Sequence, residues 1–266
     1  MKRAALVVGG GTGVGAATAR RLAADGVAVT IAGRRREPLE AVAGEIRAAG
    51  GEIEPIPADL GEEASVRSLV EQTVERLGGI DTVVAAAGIL EDADEVPKLT
   101  LETWQRYLDV NLTGVFLLAR ESLPHLVRRR GSIVTVGSVS SVVGGPISAP
   151  YCATKAGVMM LTQCLAVDHA PQGVRANCVL PGWIETDMGD AEMDWIAGRE
   201  GISRQEAYEL ANENVPMKRA ARPEEVAEVI AFLAGPTASY VTGAAVPVDG
   251  GSLAVWAGVA TYMPKG

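Results

Sequence analysis

The sequence predicts an α/β fold: one domain over residues 1–266, with a doubly wound parallel sheet of about seven strands and helices on both faces. Short runs of β-branched and small apolar residues alternate with longer stretches of helical apolar spacing. The short runs are almost continuously apolar, which is typical of parallel strands covered on both faces. These predicted strands are Ala4–Val8, Val27–Ala32, Glu52–Pro57, Thr82–Ala86, Ser132–Val136, Arg175–Val179 and Ala244–Val248.

The stretches between these runs predict helices. Apolar residues recur at helical spacing in Ala16–Ala24, Leu39–Ala48, Val66–Leu77 and Val226–Leu233. An eight-fold βα barrel would give the same alternation. The glycine cluster after the first run favours the doubly wound sheet, in which such a turn follows the first strand.

Composition excludes several classes of function. Hydrophobic residues make up 48% of the chain and charged residues 21%, which predicts a large core rather than disorder. The formal net charge is −9 and aromatic residues are 4%, so the chain offers neither a basic face nor stacking platforms for nucleic acid. No apolar run reaches the roughly 18 residues of a membrane span, so no membrane partner is expected.

The opening residues and the cysteines bear on the expected compartment. Met1-Lys2-Arg3 and the apolar residues after it resemble the start of a signal peptide, but glycines from Gly9 onward interrupt the apolar stretch, which favours a strand. Three cysteines without paired spacing indicate a reducing compartment, so we expect the cytoplasm. The two histidines, His125 and His169, lack ligand spacing, so no metal site is expected.

The turn after the first predicted strand indicates a phosphate-binding loop. Glycine lets the backbone turn tightly and approach a pyrophosphate, and the helix beginning near Gly13 would point its free N–H groups at the anion. A glycine-rich turn can also be only a tight connection, but its position between an apolar strand and an Ala-rich helix favours a dinucleotide. The predicted contacts are Gly9, Gly11, Thr12, Gly13, Val14 and Gly15.

The end of the second predicted strand bears on the choice between NADP(H) and NAD(H). NAD-selective sites place an acid here for the ribose 2′-hydroxyl, whereas a 2′-phosphate needs an arginine. This chain has Gly33 followed by Arg34, Arg35 and Arg36, with no acid at the strand end. Exposed arginines at a helix start would look the same. The absent acid and the present guanidinium groups favour NADP(H), with NAD(H) still possible.

Asp59-Leu60 follows the third predicted strand and permits two interpretations. The Asp59 carboxylate could hold the adenine amino group of a dinucleotide. It could instead cap the next helix through an Asx turn. Both interpretations remain open from the sequence.

Tyr151 and Lys155 lie four residues apart at the start of a predicted helix, Ala153 to Val167. Residues at this spacing share a helix face, so the phenol and the ammonium group can converge. A phenol is a poor base at neutral pH, and an adjacent cation stabilises its phenolate. A phenol tuned in this way can exchange a proton with a carbonyl or alcohol oxygen. Packing of a tyrosine ring beneath a lysine stem is the alternative.

These motifs together resemble the short-chain dehydrogenase/reductase family, over about residues 4–251. Tyr151-Cys-Ala-Thr-Lys155 matches the family's Tyr-x-x-x-Lys motif, and Ser138, thirteen residues earlier, matches its serine. Gly9, Gly13 and Gly15 match its glycine motif, and Asn111 its helix asparagine. Asn177, Pro181-Gly182 and Thr186 resemble the segment beside the nicotinamide, and Val248-Asp249-Gly250-Gly251 the family's last strand end.

The resemblance implies a Rossmann fold, a homotetramer and hydride transfer between a nicotinamide and a carbonyl or alcohol group. It implies that Tyr151 is the general acid and base, and that Ser138 stabilises charge on the substrate oxygen. Lys155 would hold the ribose hydroxyls and lower the pKa of Tyr151, and Asn111 would fix a water that links Lys155 to solvent. Further implied cofactor contacts are Ala86, Ala87, Gly88, Pro181, Gly182, Ile184 and Thr186.

Two positions depart from the family pattern. Val8 stands where a threonine usually precedes the first glycine, and Ala85-Ala86-Ala87-Gly88 replaces Asn-Asn-Ala-Gly. Each change loses side-chain hydrogen bonds worth about 1 kcal/mol. These changes put the fine geometry of the cofactor site in doubt. The four predicted catalytic residues, Asn111, Ser138, Tyr151 and Lys155, are all present.

Residues 187–215 are predicted to form a substrate lid. The segment has eight acids against two bases, and an acidic rim repels polyanions and an acidic carrier protein. We therefore expect a small, neutral, fairly apolar ketone or secondary alcohol, cyclic or bulky. Apolar lid residues could line its pocket or only pack the lid down; they are Met188, Met193, Trp195, Ile196 and Tyr208.

Two other functions remain as alternatives. One is a 3-oxoacyl-(acyl-carrier-protein) reductase, for which Arg128-Arg129-Arg130 could dock the carrier, although basic residues at a helix end are also expected from the helix dipole. The other is a catalytically silent cofactor-binding protein, which the presence of both Tyr151 and Lys155 disfavours. The tail at about 252–266, with Trp256 and Tyr262, is predicted to contact another subunit.

Overall fold

The computed structural model describes residues 2–91 and 93–255. Within these residues one sheet of seven parallel strands has the order β3-β2-β1-β4-β5-β6-β7, which confirms the doubly wound fold and excludes the barrel. The strands are β1 (Ala4–Val8), β2 (Ala28–Gly33), β3 (Ile53–Pro57), β4 (Thr82–Ala85), β5 (Ser132–Val136), β6 (Arg175–Pro181) and β7 (Ala245–Val248).

The helices lie where the apolar periodicity predicts them, but most begin a turn earlier. The helix predicted from Ala16 begins at Gly13, and the one predicted from Val226 begins at Pro223. First turns are polar or small because they face solvent, so apolar spacing does not reveal them. The helices are α1 (Gly13–Ala24), α2 (Arg36–Ala48), α3 (Glu63–Leu77), α4 (Leu101–Tyr107), α5 (Gly114–Arg129), α6 (Ala149–His169), α7 (Asp187–Glu200), α8 (Arg204–Ala211) and α9 (Pro223–Ala234).

The two faces of the sheet carry separate hydrophobic cores. Successive side chains of a strand point to opposite faces, so Val7 packs with α1, α2 and α9, whereas Leu6 packs with α3, α5 and α6. Both side chains are fully buried. Burial on both faces explains the continuous apolar runs of the predicted strands.

Two features of the fold lie outside the predicted elements. A π-helical segment, Leu108–Thr113, joins α4 to α5, so these three pieces form one continuous helical rod. Insertions of this kind are frequent at functional sites. The predicted lid consists of two helices, α7 and α8, whose ends are separated by residues 201–203.

The predicted oligomer-contact tail lies mostly outside the described residues. Ser252–Ala254 forms a short 3-10 turn, and residues 256–266 are not described. Among the residues that the structure does describe, no helix has the length and apolar character needed to cross a membrane.

Candidate active site

A cavity of about 1310 Å³ lies at the carboxyl ends of the strands. It spans the boundary between β1 and β4, where the strand order reverses, which is the usual ligand position in a doubly wound sheet. Every predicted cofactor contact lines this one cavity. These residues are Gly9, Gly11, Thr12, Gly13, Val14, Gly15, Arg34, Arg35, Asp59, Leu60, Ala86, Ala87, Gly88, Tyr151, Lys155, Pro181, Gly182, Ile184 and Thr186.

The glycine turn forms a cradle that side chains would fill. Gly9 has φ +83°, and a Cβ atom there would lie 2.6 Å from the backbone nitrogen of Ala87. A Cβ atom at Gly15 would lie 2.1 Å from the carbonyl oxygen of Gly9. Helix α1 begins at Gly13, so the N–H groups of its first turn face the same space. Close backbone approach and a helix N-terminus fit a pyrophosphate.

The two departures from the family pattern leave this cradle intact. Val8 and Ala85 are buried and pack in the hydrophobic core with α3 and α5. The backbone connects the strand ends instead, since the N–H of Ala86 donates to the carbonyl of Val8 at 2.9 Å. The backbone at the ends of β1 and β4 is therefore connected without the family's usual side chains, and it gives no sign of a distorted cofactor site.

Arg34 and Arg35 lie at the end of the cavity formed by β2 and α1. Both side chains are exposed, and within the described chain neither has an ion-pair partner. Arg36, the third arginine, does not line the cavity and has its guanidinium 3.7 Å from the Glu40 carboxylate. Two unpaired guanidinium groups beside a dinucleotide cradle can bind a phosphate.

Asp59 forms an Asx turn and does not cap a helix. Its Oδ1 accepts from the N–H of Gly61 at 2.9 Å, while α3 begins only at Glu63. Its backbone N–H donates to the Ser65 hydroxyl at 3.0 Å. The carboxylate therefore has a fixed direction on the cavity wall, which is compatible with contact to an adenine amino group.

Ser138, Tyr151 and Lys155 meet at the middle of the cavity. Tyr151 and Lys155 lie on α6, with the ammonium nitrogen 5.6 Å from the centre of the phenol ring. Ser138 follows β5, and its hydroxyl lies near enough to Tyr151 to lower the pKa of the phenol. The Ser138 hydroxyl oxygen also accepts from the N–H of Ser140 at 3.1 Å. The three groups predicted to act on one substrate oxygen are thus brought together by β5 and α6.

Burial dominates the acid–base properties of the pair. It raises the pKa of Tyr151 to about 12, although the hydrogen bond from Ser138 opposes the shift. Burial also lowers the pKa of Lys155 to about 8. The Lys155 ammonium donates to the carbonyl of Val136 at 2.9 Å. The expected lowering of the Tyr151 pKa by Lys155 is therefore not found in the protein alone, because desolvation of a buried phenol outweighs a cation held by another acceptor.

Asn111 lies behind the cavity wall and does not line it. Its side chain is buried; Oδ1 accepts from the N–H of Ile89 at 2.7 Å, and Nδ2 donates to the carbonyl of Ile89 at 3.0 Å. It thereby fixes the loop after β4. A Cβ atom at Gly88 would lie 3.3 Å from Asn111 Oδ1 and 3.4 Å from Lys155 Nζ, so these groups adjoin the same glycine.

Ser141 is a site residue that the sequence analysis missed. Its hydroxyl accepts from the N–H of Ser138 at 3.2 Å and donates to the carbonyl of Lys155 at 2.9 Å. One buried hydroxyl therefore joins the Ser138 loop to helix α6. The serine-rich stretch from Ser138 to Ser141 was the available signal, but spacing alone does not show that Ser141 reaches Lys155.

The segment predicted beside the nicotinamide is held by several contacts. Asn177 bonds through its side chain to the carbonyl of Val241 at 2.9 Å and to the N–H of Ala244 at 3.1 Å, which fixes β6 against the following chain. Ile184 pairs with Ala221 in an isolated parallel bridge. Thr186 caps α7, because its hydroxyl accepts from the N–H of Gly189 at 3.1 Å.

The lid provides an apolar wall with few bases. Met188, Trp195 and Ile196 line the cavity. Met193, on the same helix, is fully buried and does not line it, and neither does Tyr208 on α8. The lid's charged cavity-lining residues are Asp187, Glu192 and Arg199; Arg199 stacks 4.8 Å from the Trp195 ring centre and pairs with Glu200 at 2.7 Å.

The loop between Ser141 and α6 supplies further apolar residues that the sequence analysis missed. Val143, Pro146 and Ile147 line the cavity, as does Trp183 beside the nicotinamide segment. Ile147 has φ +46°, a conformation that is strained for a β-branched residue. Strained residues concentrate at ligand sites. No regular apolar period marks this loop, so the sequence did not reveal it.

The cysteines and the arginine run noted in the sequence do not line the cavity. Cys152 does not line the cavity, and its sulfur lies 3.4 Å from the Ser148 hydroxyl. Across residues 2–91 and 93–255, no group of three or more His, Cys, Asp or Glu side chains could hold a metal ion. Arg128-Arg129-Arg130 ends α5 immediately before β5 begins, whereas the cavity lies at the carboxyl ends of the strands. A carrier docked on these arginines would be at the wrong end of the sheet.

Comparisons with known proteins agree with this geometry. A family model described as enoyl-(acyl carrier protein) reductase, of the short-chain type, matches residues 9–252. The cis-4-hydroxycyclohexanecarboxylate dehydrogenase of Sinomonas cyclohexanicum is 41% identical over 96% of this chain and 98% of its own. The meso-2,3-butanediol dehydrogenase of Serratia marcescens is 36% identical over 94% of each chain. A 3-oxoacyl-(acyl-carrier-protein) reductase of Thermotoga maritima is 35% identical over 92% of this chain and 96% of its own.

Solved structures give the same picture. Levodione reductase superposes with a TM-score of 0.91 at 34% identity, covering 96% of this chain and 98% of that chain. An actinorhodin polyketide ketoreductase crystallised with NADPH superposes with a TM-score of 0.90 at 35% identity, covering 94% of this chain and 97% of that chain.

Proposed function

The chain belongs to the short-chain dehydrogenase/reductase family and is an NAD(P)-dependent oxidoreductase of carbonyl and alcohol groups; on that premise we propose that it uses NADP(H) and acts on a neutral, fairly apolar ring ketone or its secondary alcohol. The observation that carries the proposal is the meeting of Ser138, Tyr151 and Lys155 on the wall of a cavity that also contains a dinucleotide cradle.

In this proposal Tyr151 gives the proton during reduction. Its phenol is neutral at pH 7, since its pKa is raised to about 12 by burial, and it donates to the carbonyl oxygen of the substrate. The Ser138 hydroxyl, which interacts with Tyr151 in the protein alone, would turn its one proton to the same oxygen when substrate binds, while the N–H of Ser140 keeps one of its lone pairs occupied. A bound nicotinamide would supply or accept the hydride.

Lys155 holds the charge that proton transfer creates. It is a cation below its pKa of about 8 and lies 5.6 Å from the phenol ring centre, so it stabilises the phenolate that remains after transfer. Its ammonium group also faces the cavity, where it would bind the ribose hydroxyls. Asn111 keeps Gly88 and Ile89 in place beside Lys155 and acts on the reaction only through them.

The preference for NADP(H) rests on Arg34 and Arg35. Both line the adenosine end of the cavity without an ion-pair partner in the described chain, and β2 ends at Gly33 rather than at an acid. A 2′-phosphate would accept from the guanidinium groups, whereas a 2′-hydroxyl would meet no carboxylate at this position.

The substrate class rests on the wall around Tyr151. Val143, Pro146, Trp183, Met188 and Trp195 give it a large apolar surface. Two of the three charged lid residues on the cavity are acids, which disfavours a polyanion. The relative from Sinomonas is named for a hydroxycyclohexanecarboxylate, which supports a six-membered ring as the reacting unit; that named substrate also carries one carboxylate, so 4-oxocyclohexanecarboxylate belongs in the test.

A 3-oxoacyl-(acyl-carrier-protein) reductase is the second candidate, favoured by the relative of that name from Thermotoga maritima.

We also propose a homotetramer, supported by exposed apolar side chains on α5 and α6, namely Phe116, Met160 and Val167. Light scattering coupled to gel filtration tests this assembly, and a monomer would refute it.

A parallel absorbance screen at 340 nm tests the function. The panel contains cyclohexanone, 2-decalone, 4-oxocyclohexanecarboxylate, acetoin and a 3-oxoacyl thioester on carrier protein, each with NADPH and with NADH. We expect the highest kcat/KM for a neutral ring ketone with NADPH. A kcat/KM for the carrier thioester that greatly exceeds that for every neutral ketone would refute the substrate class, and absence of turnover across the whole panel with both cofactors would refute catalysis.

A further inference from the structure

The hydroxyl of Tyr208 touches two segments that border the cavity. Tyr208 lies on α8, and its hydroxyl donates to Oδ1 of Asp190 on α7 at 2.9 Å. The same oxygen lies 3.4 Å from the carbonyl oxygen of Ile184. Because Ile184 and α7 both line the cavity and Tyr208 does not, Tyr208 can act on a bound substrate only through them.

The first turn of α7 closes directly around this hydroxyl. A Cβ atom at Gly189 would lie 2.8 Å from the Tyr208 hydroxyl and 2.2 Å from the carbonyl oxygen of Ile184. A side chain at Gly189 would therefore push α7 away from both. Glycine at position 189 therefore lets the first turn of the lid helix pack closely against both oxygens.

The second oxygen of Asp190 is also bound by α8. Arg204 donates to Asp190 Oδ2 at 3.0 Å and to the two oxygens of Asp194 at 2.7 and 2.6 Å. These ion pairs are exposed on the surface, where such pairs contribute little. The Tyr208 hydroxyl is more shielded, and burial together with the Asp190 carboxylate raises its pKa, so it keeps its proton at neutral pH. Tyr208 is thus the less exposed of the two residues through which α8 holds Asp190.

We infer that Tyr208 is a positioning residue that fixes the lid helix α7 against the Ile184 segment and thereby sets the affinity for the carbonyl substrate. Helix α7 supplies Met188, Trp195 and Ile196 to the cavity wall. If its first turn is not held at Asp190, these side chains lose their fixed distance from Tyr151. The inference rests on the proposed function, since it assumes that the cavity binds a ketone beside Tyr151.

Tyr208→Phe removes the hydroxyl and keeps the ring. With NADPH and the best ketone of the panel, we expect KM for the ketone to rise about tenfold, as expected for one lost hydrogen bond to a charged acceptor. The kcat should change less than about threefold, and the NADPH dissociation constant, measured by fluorescence, less than about twofold. Tyr240→Phe is the matched control, because Tyr240 is fully exposed and lies outside the lid. It should behave as wild type.

A double-mutant cycle separates positioning from general stability. Asp190→Ala should raise the ketone KM as well, and Tyr208→Phe should have a much smaller effect in the Asp190→Ala background than in wild type, limited to its weaker contact with Ile184. A lower melting temperature with unchanged KM, or additive effects of the two substitutions, would overturn the inference. If wild type turns over no ketone the proposed function fails; if wild type is active and Tyr208→Phe matches it, only the positioning role fails.

Discussion

The sharpest test of cofactor choice is removal of the two guanidinium groups at the adenosine end of the cavity. Arg34→Ala and Arg35→Ala each delete an exposed cation that has no ion-pair partner within the described residues, so neither change breaks an ion pair there. A loss that is selective for NADPH over NADH must then arise at the bound cofactor. A contact to an anion is worth about 1.5–3 kcal/mol when shielded and about 1 kcal/mol when exposed.

At about 1 kcal/mol each, one substitution should raise KM for NADPH about fivefold and both together about 30-fold. KM for NADH should stay within about twofold, since NADH carries no 2′-phosphate. The effect should shrink with added salt, because exposed charges are screened. The assay is initial rate against cofactor concentration at saturating ketone, with both cofactors and at two ionic strengths.

Arg36→Ala is the matched control. Arg36 is adjacent, exposed and equally charged, but it does not line the cavity and lies near Glu40 instead. It should leave both KM values unchanged. Equal losses for NADPH and NADH in the double variant, or a loss with Arg36→Ala as large as with Arg34→Ala, would refute the assignment of the 2′-phosphate to Arg34 and Arg35.

Four further predictions concern the reacting groups and the cradle. Tyr151→Phe should lower kcat by several orders of magnitude without changing the NADPH dissociation constant, and residual activity near wild type would contradict its role as proton donor. Ser141→Ala removes the hydroxyl that joins Ser138 to Lys155, so kcat should fall about tenfold with little change in cofactor affinity, and restoration by Ser141→Thr should be partial. Reduction needs Lys155 as a cation, so kcat/KM should fall as pH rises through about 8, the value to which burial lowers its pKa; a plateau from pH 7 to 10 would exclude this dependence. Gly15→Ala places a methyl group 2.1 Å from the Gly9 carbonyl, so melting temperature and cofactor affinity should both drop.

Much of the site could be predicted because its signals are local in sequence. The glycine turn directly follows an apolar strand, and Tyr151 and Lys155 share one helix face at a spacing of four. All of the predicted cofactor contacts line the cavity, since parallel strands bring their carboxyl ends to one edge. The catalytic and cofactor roles of these residues stay predictions until they are tested.

The residues that the sequence analysis missed act through distant contacts. Ser141 matters because its hydroxyl reaches Lys155, fourteen positions along the chain. Tyr208 matters because α8 folds back on α7 and on Ile184. Neither contact leaves a periodic pattern in the sequence, because each depends on one hydroxyl group and not on residues that recur at a fixed spacing.

The amino-acid sequence by itself determined the alternation of strands and helices, the glycine turn and the pairing of Tyr151 with Lys155, because each depends on neighbours within one or two turns of the chain. Only the tertiary structure decided how deeply that pair is buried. Burial places the pKa of Tyr151 at about 12 and that of Lys155 at about 8, and no spacing of residues can encode a desolvation that depends on everything packed around them.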